Sequence, residues 1–276
     1  MPPRRGVNRQ RLYCTDAIVV RRRDQGEGDR VLTICTPLGK LVVIAKGARK
    51  VRSRKAGHLE LFAHARLTVA RSRSSWDVVS QAETVKSHAT LRGDLVRGTY
   101  ARYVAELYDR FVAEGEGDDT LFELLNRTLT YLCREERLDL LTRAYEQRLL
   151  ALVGFQPELD RCVGEREGRT CGQVLRAEGN DTFGLDPERG GALCPECYQA
   201  RGRQQGVIPL SPAALRLLRV CGRVPFARLR ERRTTPALLV EVERAARHYI
   251  AYYLEREVRT GVFLRRVRRE WRSESD

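Results

Sequence analysis

The chain has 276 residues, with 51 Lys and Arg against 36 Asp and Glu, and a formal charge of +15. Apolar residues make up 42%, which is enough for packed cores and excludes a wholly disordered chain. The longest apolar run, Tyr249 to Leu254, is far short of the roughly 20 residues of a helical membrane span. The first residues, Met1-Pro2-Pro3-Arg4-Arg5, carry no apolar leader, so a soluble, non-secreted protein with a polyanionic partner is expected.

The charge is unevenly placed. Residues 1–80 carry +12, residues 81–215 carry −5 and residues 216–276 carry +8. Of the basic residues 46 are Arg and five are Lys; base composition of a genome can produce that skew, so the excess of charge is the informative quantity.

After an extension over 1–11, expected to be flexible, five β-rich runs follow: Tyr13 to Arg22, Arg30 to Thr36, Lys40 to Ala45, Leu61 to Ala70 and Trp76 to Val85. Their partial alternation suits half-buried strands. Gly26-Glu27-Gly28-Asp29, Thr36-Pro37-Leu38-Gly39, Gly47 and Arg71 to Ser75 separate them. Five strands in about 70 residues fit an oligonucleotide-binding (OB) barrel over 12–86, with an SH3-like barrel nearly as good on spacing alone.

Between the third and fourth runs lie Lys46, Arg49, Lys50, Arg52, Arg54 and Lys55, with no acidic residue among them. Such a cluster can neutralise phosphates and release counterions, and cationic OB grooves track nucleic-acid backbones in this way. A solvated basic loop is the plain alternative. Lys40 and Arg30 are candidates to extend the patch. Tyr13, Phe62 and Trp76 are the aromatics of the segment and are expected in the core rather than as stacking platforms.

From residue 98 the apolar period changes to that of helices. Tyr100, Tyr103, Val104, Leu107, Tyr108 and Phe111 form one stripe. Leu121, Leu124, Leu125, Thr128, Leu129 and Leu132 form a second, and Leu140, Leu141, Tyr145, Leu149, Leu152 and Val153 a third. Ser211-Pro212 and Thr235-Pro236 are helix starts, the latter leading into Leu239, Val242, Ala246, Tyr249, Ile250 and Tyr253. A helical bundle over 87–160 and 205–260 is expected. Arg228, Arg230, Arg232 and Arg233 offer a second basic patch, and 261–276 reads as a basic tail.

Cys162, Cys171, Cys194 and Cys197 are concentrated in a module over 161–204, spaced Cys-x8-Cys-x22-Cys-x2-Cys. Four thiolates match closed tetrahedral coordination of one structural Zn²⁺, and no His lies between His88 and His248 to serve as a ligand. Disulfides are disfavoured in a non-secreted protein, and no thioredoxin-like pattern surrounds the Cys-x2-Cys pair. Cys14, Cys35, Cys133 and Cys221 stand alone in apolar or strand-like contexts and are expected to act as small hydrophobes.

The stretch Gly26 to Lys50, with its Gly-Glu-x-Asp-Arg turn and its Gly39-Lys40…Ala45-Lys46-Gly47-Ala48-Arg49-Lys50 segment, resembles the N-terminal barrel of the bacterial RecO family of DNA repair proteins. The order that follows also matches: a Leu/Tyr-rich helical region, Gly154 to Asp160, cysteines, Gly190-Gly191-Ala192-Leu193-Cys194-x-x-Cys197, and further helices. The similarity covers about residues 12 to 255. The chain departs from the family pattern at the first cysteine pair, where zinc-bearing members have Cys-x-x-Cys-Gly and Gly164 to Gly168 stands inserted here.

The resemblance implies an α+β multidomain protein: a five-stranded OB-fold barrel, then an α-helical bundle with an inserted four-cysteine zinc module. It implies a cytoplasmic, nucleoid-associated recombination mediator that binds single- and double-stranded DNA and anneals complementary strands. With RecR such a mediator helps load RecA onto DNA coated by single-stranded DNA-binding protein. No enzymatic activity is expected, since no GxxxxGK[ST] or HExxH motif occurs. A zinc-ribbon RNA-binding factor and a pure scaffold are the rival readings. Six phosphate contacts predict a log–log salt slope near about −4 on single strands.

Overall fold

The computed structural model describes residues 12–72, 76–201 and 206–273, with backbone alone for 268–273. The expected extension over 1–11, part of the Arg71 to Ser75 turn and the end of the expected tail lie outside the described residues.

The first five strands are β1 (Leu12–Gln25), β2 (Asp29–Thr36), β3 (Gly39–Ala45), β4 (His64–Ala70) and β5 (Asp77–Lys86). They close a barrel in the order β1-β2-β3-β5-β4. All neighbours are antiparallel except β3 and β5, which pair in parallel through Val43↔Asp77 and Ile44↔Val78. That parallel closure makes the barrel an OB-fold and removes the SH3-like alternative. Alternation sends Ala17, Val19, Leu32, Ile34, Val43, Leu67 and Val69 into the interior. A 3₁₀ turn over Ala56–Leu59 buries Leu59 there as well.

Two strand limits differ from the sequence reading by more than one residue. β1 runs on to Gln25, because its hairpin with β2 stays paired as far as Gln25↔Asp29. β4 starts at His64, because Leu61 to Ala63 turn back on β1: the Phe62 N–H donates to Val19 O at 2.8 Å and the Val19 N–H to Ala63 O at 3.1 Å.

The helices α1 (Thr90–Gly93), α2 (Leu95–Phe111), α3 (Asp119–Leu132) and α4 (Leu138–Leu152) follow. Next come β6 (Glu165–Arg166), β7 (Arg169–Thr170), β8 (Phe183–Asp186), β9 (Gly191–Leu193), α5 (Pro195–Arg201) and β10 (Ile208–Leu210). The chain ends with α6 (Pro212–Arg223), α7 (Phe226–Leu229), α8 (Pro236–Tyr253) and α9 (Arg259–Ser273). Side chains of Asp94, Asp118, Ser211 and Thr235 cap α2, α3, α6 and α8, each accepting an N–H three residues on.

The three apolar stripes of α2, α3 and α4 are buried, except that Phe111, Leu124 and Val153 are half-buried and Leu152 at the end of α4 is exposed. They share one core with α6, α8 and the cysteine module. Inside this core Arg143 and Glu146 pair at 2.8 Å, and the Tyr103 hydroxyl donates to Glu146 Oε1 at 2.6 Å. Burial pushes the Glu146 carboxyl up, against the pull of Arg143. The sheet β10-β8-β9 takes its edge strand from Ile208–Leu210, so the module extends past the expected boundary at 204.

The expected tail is a helix. Leu264 and Val267 of α9 are buried, and Gly261 lies against the Tyr103 ring. Glu106 of α2 receives the N–H groups of Arg259 (3.2 Å) and Thr260 (2.9 Å). Residues spaced by three among the arginines, Gly261, Leu264 and Val267, give this segment a docking face that its charge conceals.

The barrel is joined to the helices through a shared wall. Ile18, Val20, Cys35 and Phe62 point outward from the barrel and belong to the helical core. Among the described residues no helix is long and apolar enough to cross a membrane.

Candidate nucleic-acid interface and metal centre

The basic loop after β3 is a chain of anchored turns. The Gly47 N–H donates to Asp29 Oδ1 at 2.7 Å and the Arg49 N–H to Gly28 O at 2.9 Å. The Lys50 N–H bonds Gly47 O at 3.2 Å and the Ser53 N–H bonds Lys50 O at 2.9 Å, while Ala48 is buried in the barrel. These anchors hold Lys46, Lys50, Arg52 and Arg54 out in solvent, with Val51 fully exposed at the tip. Among the described residues, none of the four has a carboxylate within ion-pair distance.

The other barrel candidates are placed differently. Arg49 is exposed, but its guanidinium pairs with Asp24 at 3.3 Å and donates to Gly26 O at 3.0 Å. Arg30 is largely covered and pairs with Asp24 (3.2 Å) and Glu60 (3.5 Å). The Lys55 ammonium donates to Val79 O at 2.9 Å, and burial lowers its pKa. Lys40 is turned into the protein, where its ammonium meets Asp109 Oδ1 at 2.8 Å and the carbonyls of Asp109 and Val112. Lys40 therefore belongs to the junction between barrel and helices and not to the basic surface, because carbonyls at the end of α2 need a buried donor.

Of the barrel aromatics Tyr13, Phe62 and Trp76, expected in the core, only Phe62 is fully buried. Phe62 is buried toward the helices. Tyr13 and Trp76 are half-buried, covered by the guanidinium groups of Arg71 at 5.2 Å and Arg23 at 5.1 Å. On the helical part, Arg228 lies in the last turn of α7 and Arg230, Arg232 and Arg233 follow that helix, all exposed. The Arg232 carbonyl is held by Arg137 at 3.0 Å.

The structure brings Cys162, Cys171, Cys194 and Cys197 together, their sulfurs all within 4.8 Å of one another. Zn–S bonds of about 2.3 Å in a tetrahedron place sulfurs about 3.8 Å apart, so a metal ion needs only a small contraction. Cys162, Cys194 and Cys197 are buried and Cys171 is partly covered. Backbone N–H groups are aimed at sulfur: Gly164 and Cys194 donate to Cys162 at 3.3 and 3.2 Å, and Cys197 donates to Cys194 at 3.5 Å. Donors of this kind suit thiolates bound to a cation. Burial pushes the Cys162 and Cys194 thiols up, so a cation binding there displaces protons.

Glycine is required in the turn after Cys162. A Cβ on Gly164 would lie 2.8 Å from Cys197 Sγ and 2.7 Å from its Cβ, inside the volume the cluster occupies. The four cysteines thus fit a metal ion and leave no free sulfur in the group. A residue missed in the sequence also reaches them: Arg166 donates to Cys194 Sγ at 3.2 Å and Cys197 Sγ at 3.4 Å. Its only signal is its place in the segment inserted between Cys162 and Cys171. The four lone cysteines divide, with Cys35 and Cys221 buried, Cys133 partly buried and Cys14 exposed.

Comparison with known proteins accords with this geometry. The family described as Recombination protein O N terminal matches residues 11–88, and Recombination protein O C terminal matches residues 92–261. The chain is 42% identical over 267 residues to the DNA repair protein RecO of Roseiflexus sp. (strain RS-1), covering 97% of this chain and 90% of that protein. It is 34% identical over 258 residues to the DNA repair protein RecO of Desulforamulus reducens, covering 93% and 95%. With the DNA repair protein RecO of Dehalococcoides mccartyi (strain 195) it shares 34% over 253 residues, covering 91% and 94%.

Proposed function

The chain belongs to the RecO family, which places it in DNA repair and recombination, and on that premise we propose that it is a non-enzymatic strand-annealing mediator. In this reading it binds single- and double-stranded DNA, acts with RecR and single-stranded DNA-binding protein, and assists the loading of RecA. It resides in the cytoplasm on nucleoid DNA.

One observation carries the DNA-binding part: four exposed cations, Lys46, Lys50, Arg52 and Arg54, project from an anchored loop on an OB barrel, with no acidic partner among the described residues. Cations already matched by carboxylates have less to gain from phosphate, so these four lead, with Arg49 and Lys55 beside them. The exposed set Arg228, Arg230, Arg232 and Arg233 is the second surface. Two cationic surfaces reduce the repulsion between two strands, which is the barrier to annealing. The cysteine cluster holds one Zn²⁺ in a structural role, with all four coordination positions filled by sulfur.

The test is annealing of complementary oligonucleotides by the wild type and by the variant K46E/K50E/R52E/R54E, with binding followed against salt. Four phosphate contacts give a log–log slope near about −3 on single strands. Annealing lost together with most of that slope supports the reading. A wild type that neither binds DNA nor anneals, or a variant equal to it, overturns it. Matched RNA in the same assay separates a DNA mediator from an RNA-binding factor.

A further inference from the structure

The segment between Cys162 and Cys171 is a hairpin with a defined register. The Cys162 N–H donates to Gln173 O at 2.8 Å and the Cys171 N–H to Gly164 O at 2.7 Å, and beyond them Glu165 pairs with Thr170 and Arg166 with Arg169. Glu167 and Gly168 turn the chain with φ of 50° and 74°, the two positive values of a two-residue hairpin turn. Gly164 and Cys171 therefore face each other at the base of a six-residue projection, 165–170. Without those six residues the chain would read Cys162-Val163-Gly164-Cys171-Gly172, the Cys-x2-Cys spacing of an ordinary zinc knuckle.

The projection folds over the cysteine cluster. Arg166 sits on its strand β6, and its guanidinium reaches across to Cys194 and Cys197 on the opposite knuckle, at 3.2 and 3.4 Å. Glu196, which lies in the chain between those two cysteines, holds the same guanidinium at 2.9 Å. Arg189 ties the hairpin down from outside through Glu165 at 3.1 Å. Four thiolates around a divalent cation carry a net charge of −2, and a guanidinium donating to two of them offsets part of it.

We propose that the 165–170 hairpin is a cap on the metal centre, in which Arg166 bonds the sulfurs of Cys194 and Cys197 and slows loss of the metal. The proposal rests on the reading of the four cysteines as a metal site. Arg166 is a positioning residue, since it would touch the ligands and not the ion. Partners of metal ligands of this kind commonly change metal affinity by about 10- to 100-fold.

The test is the rate at which a chromogenic chelator takes metal from the purified full-length protein, with metal content measured first by elemental analysis. The wild type, R166A, R166K, E196Q and a deletion of 165–170 are compared. One metal per chain in the wild type, with release at least about tenfold faster from R166A and from the deletion, supports the cap. R166K, which keeps the charge and loses the two-pronged contact, is expected between the two. In E196Q the guanidinium loses its anchor, and adding R166A to it should produce less than the product of the separate effects. Full metal content with equal release rates in wild type and R166A overturns the cap and leaves the metal site standing. A wild type that neither contains nor takes up metal overturns both.

Discussion

Lys40 and Asp109 meet across the junction of barrel and helices, Nζ to Oδ1 at 2.8 Å, with side chains 11% and 15% exposed. The same ammonium also satisfies the carbonyls of Asp109 and Val112. Replacement by methionine leaves the Asp109 carboxylate with Arg21 alone, at 3.3 Å, and two carbonyls without the Lys40 donor. K40M is expected to cost about 2–4 kcal/mol, read as a lower midpoint in urea. The salt slope of DNA binding should stay at the wild-type value. A fall in the slope without a change in the midpoint would place Lys40 on the DNA surface instead.

Glu106 closes the start of α9 by receiving the N–H groups of Arg259 and Thr260. E106A removes that cap, at a cost of about 1 kcal/mol to the helix. Amide exchange in 259–267 should speed up while α2 and α4 keep their protection. Unchanged exchange in α9 would mean that Leu264 and Val267 suffice to dock it.

Chelation should loosen the module around β8 and β9 before the rest of the protein unfolds. Its small sheet packs against the helical core, whereas its knuckles would depend on an ion held by the four cysteines. Thermal unfolding of the metal-free protein is expected to show an added low-temperature step, absent when metal is restored. C194S should show that step whether or not metal is added. A single transition at the same Tm with and without metal would contradict this.

His64 and His88 are buried between barrel and helices. Burial lowers both imidazole pKa values. Asp16 and Glu123 oppose the shift at His64 while Lys86 adds to it, and the Phe62 carbonyl opposes it at His88 while Lys86, His64 and Arg92 add to it. The unfolded chain binds these protons more readily than the folded one, so stability rises with pH through this range. The contribution is full above the ordinary imidazole value of about 6.5 and is lost as pH falls below it toward the folded-state values. The urea midpoint should drop as pH falls from about 7.5 to about 5.5, a window that brackets the ordinary imidazole value, and the drop should be smaller in H64N. An equal drop in both proteins would assign it to other groups, including the clustered cysteines.

Much of this was readable in the residues. Alternating Val, Ile and Leu between Gly and Pro turns placed the strands, because one face of each must enter the barrel. Ser211-Pro212 and Thr235-Pro236 marked the starts of α6 and α8. The four clustered cysteines identified a group that could hold a metal ion. What could not be read depends on partners distant in sequence. Lys40 looked like a phosphate ligand because Asp109 lies 69 residues away, and Arg30 because Glu60 does not neighbour it in the chain. The helix α9 was hidden by arginines that outnumber its docking residues Gly261, Leu264 and Val267. The length of the Cys162–Cys171 segment announced a departure, but only the hairpin register showed that Arg166 returns to the opposite knuckle.

The outward wall of the barrel bears on recombining this chain with its relatives. Ile18, Val20, Cys35 and Phe62 lie in the core of the helices, so the boundary near residue 88 separates two sequence stretches that share one packing surface. A chimera cut there would mate one relative's barrel wall with another's α2, and each mismatch in volume would fall at the seam. Exchanges that carry the barrel wall and α2 together, through the Lys40 and Asp109 contact, keep that seam intact. Coevolution between the two halves should therefore concentrate at these positions and not in the basic loop, whose anchors all lie within the barrel.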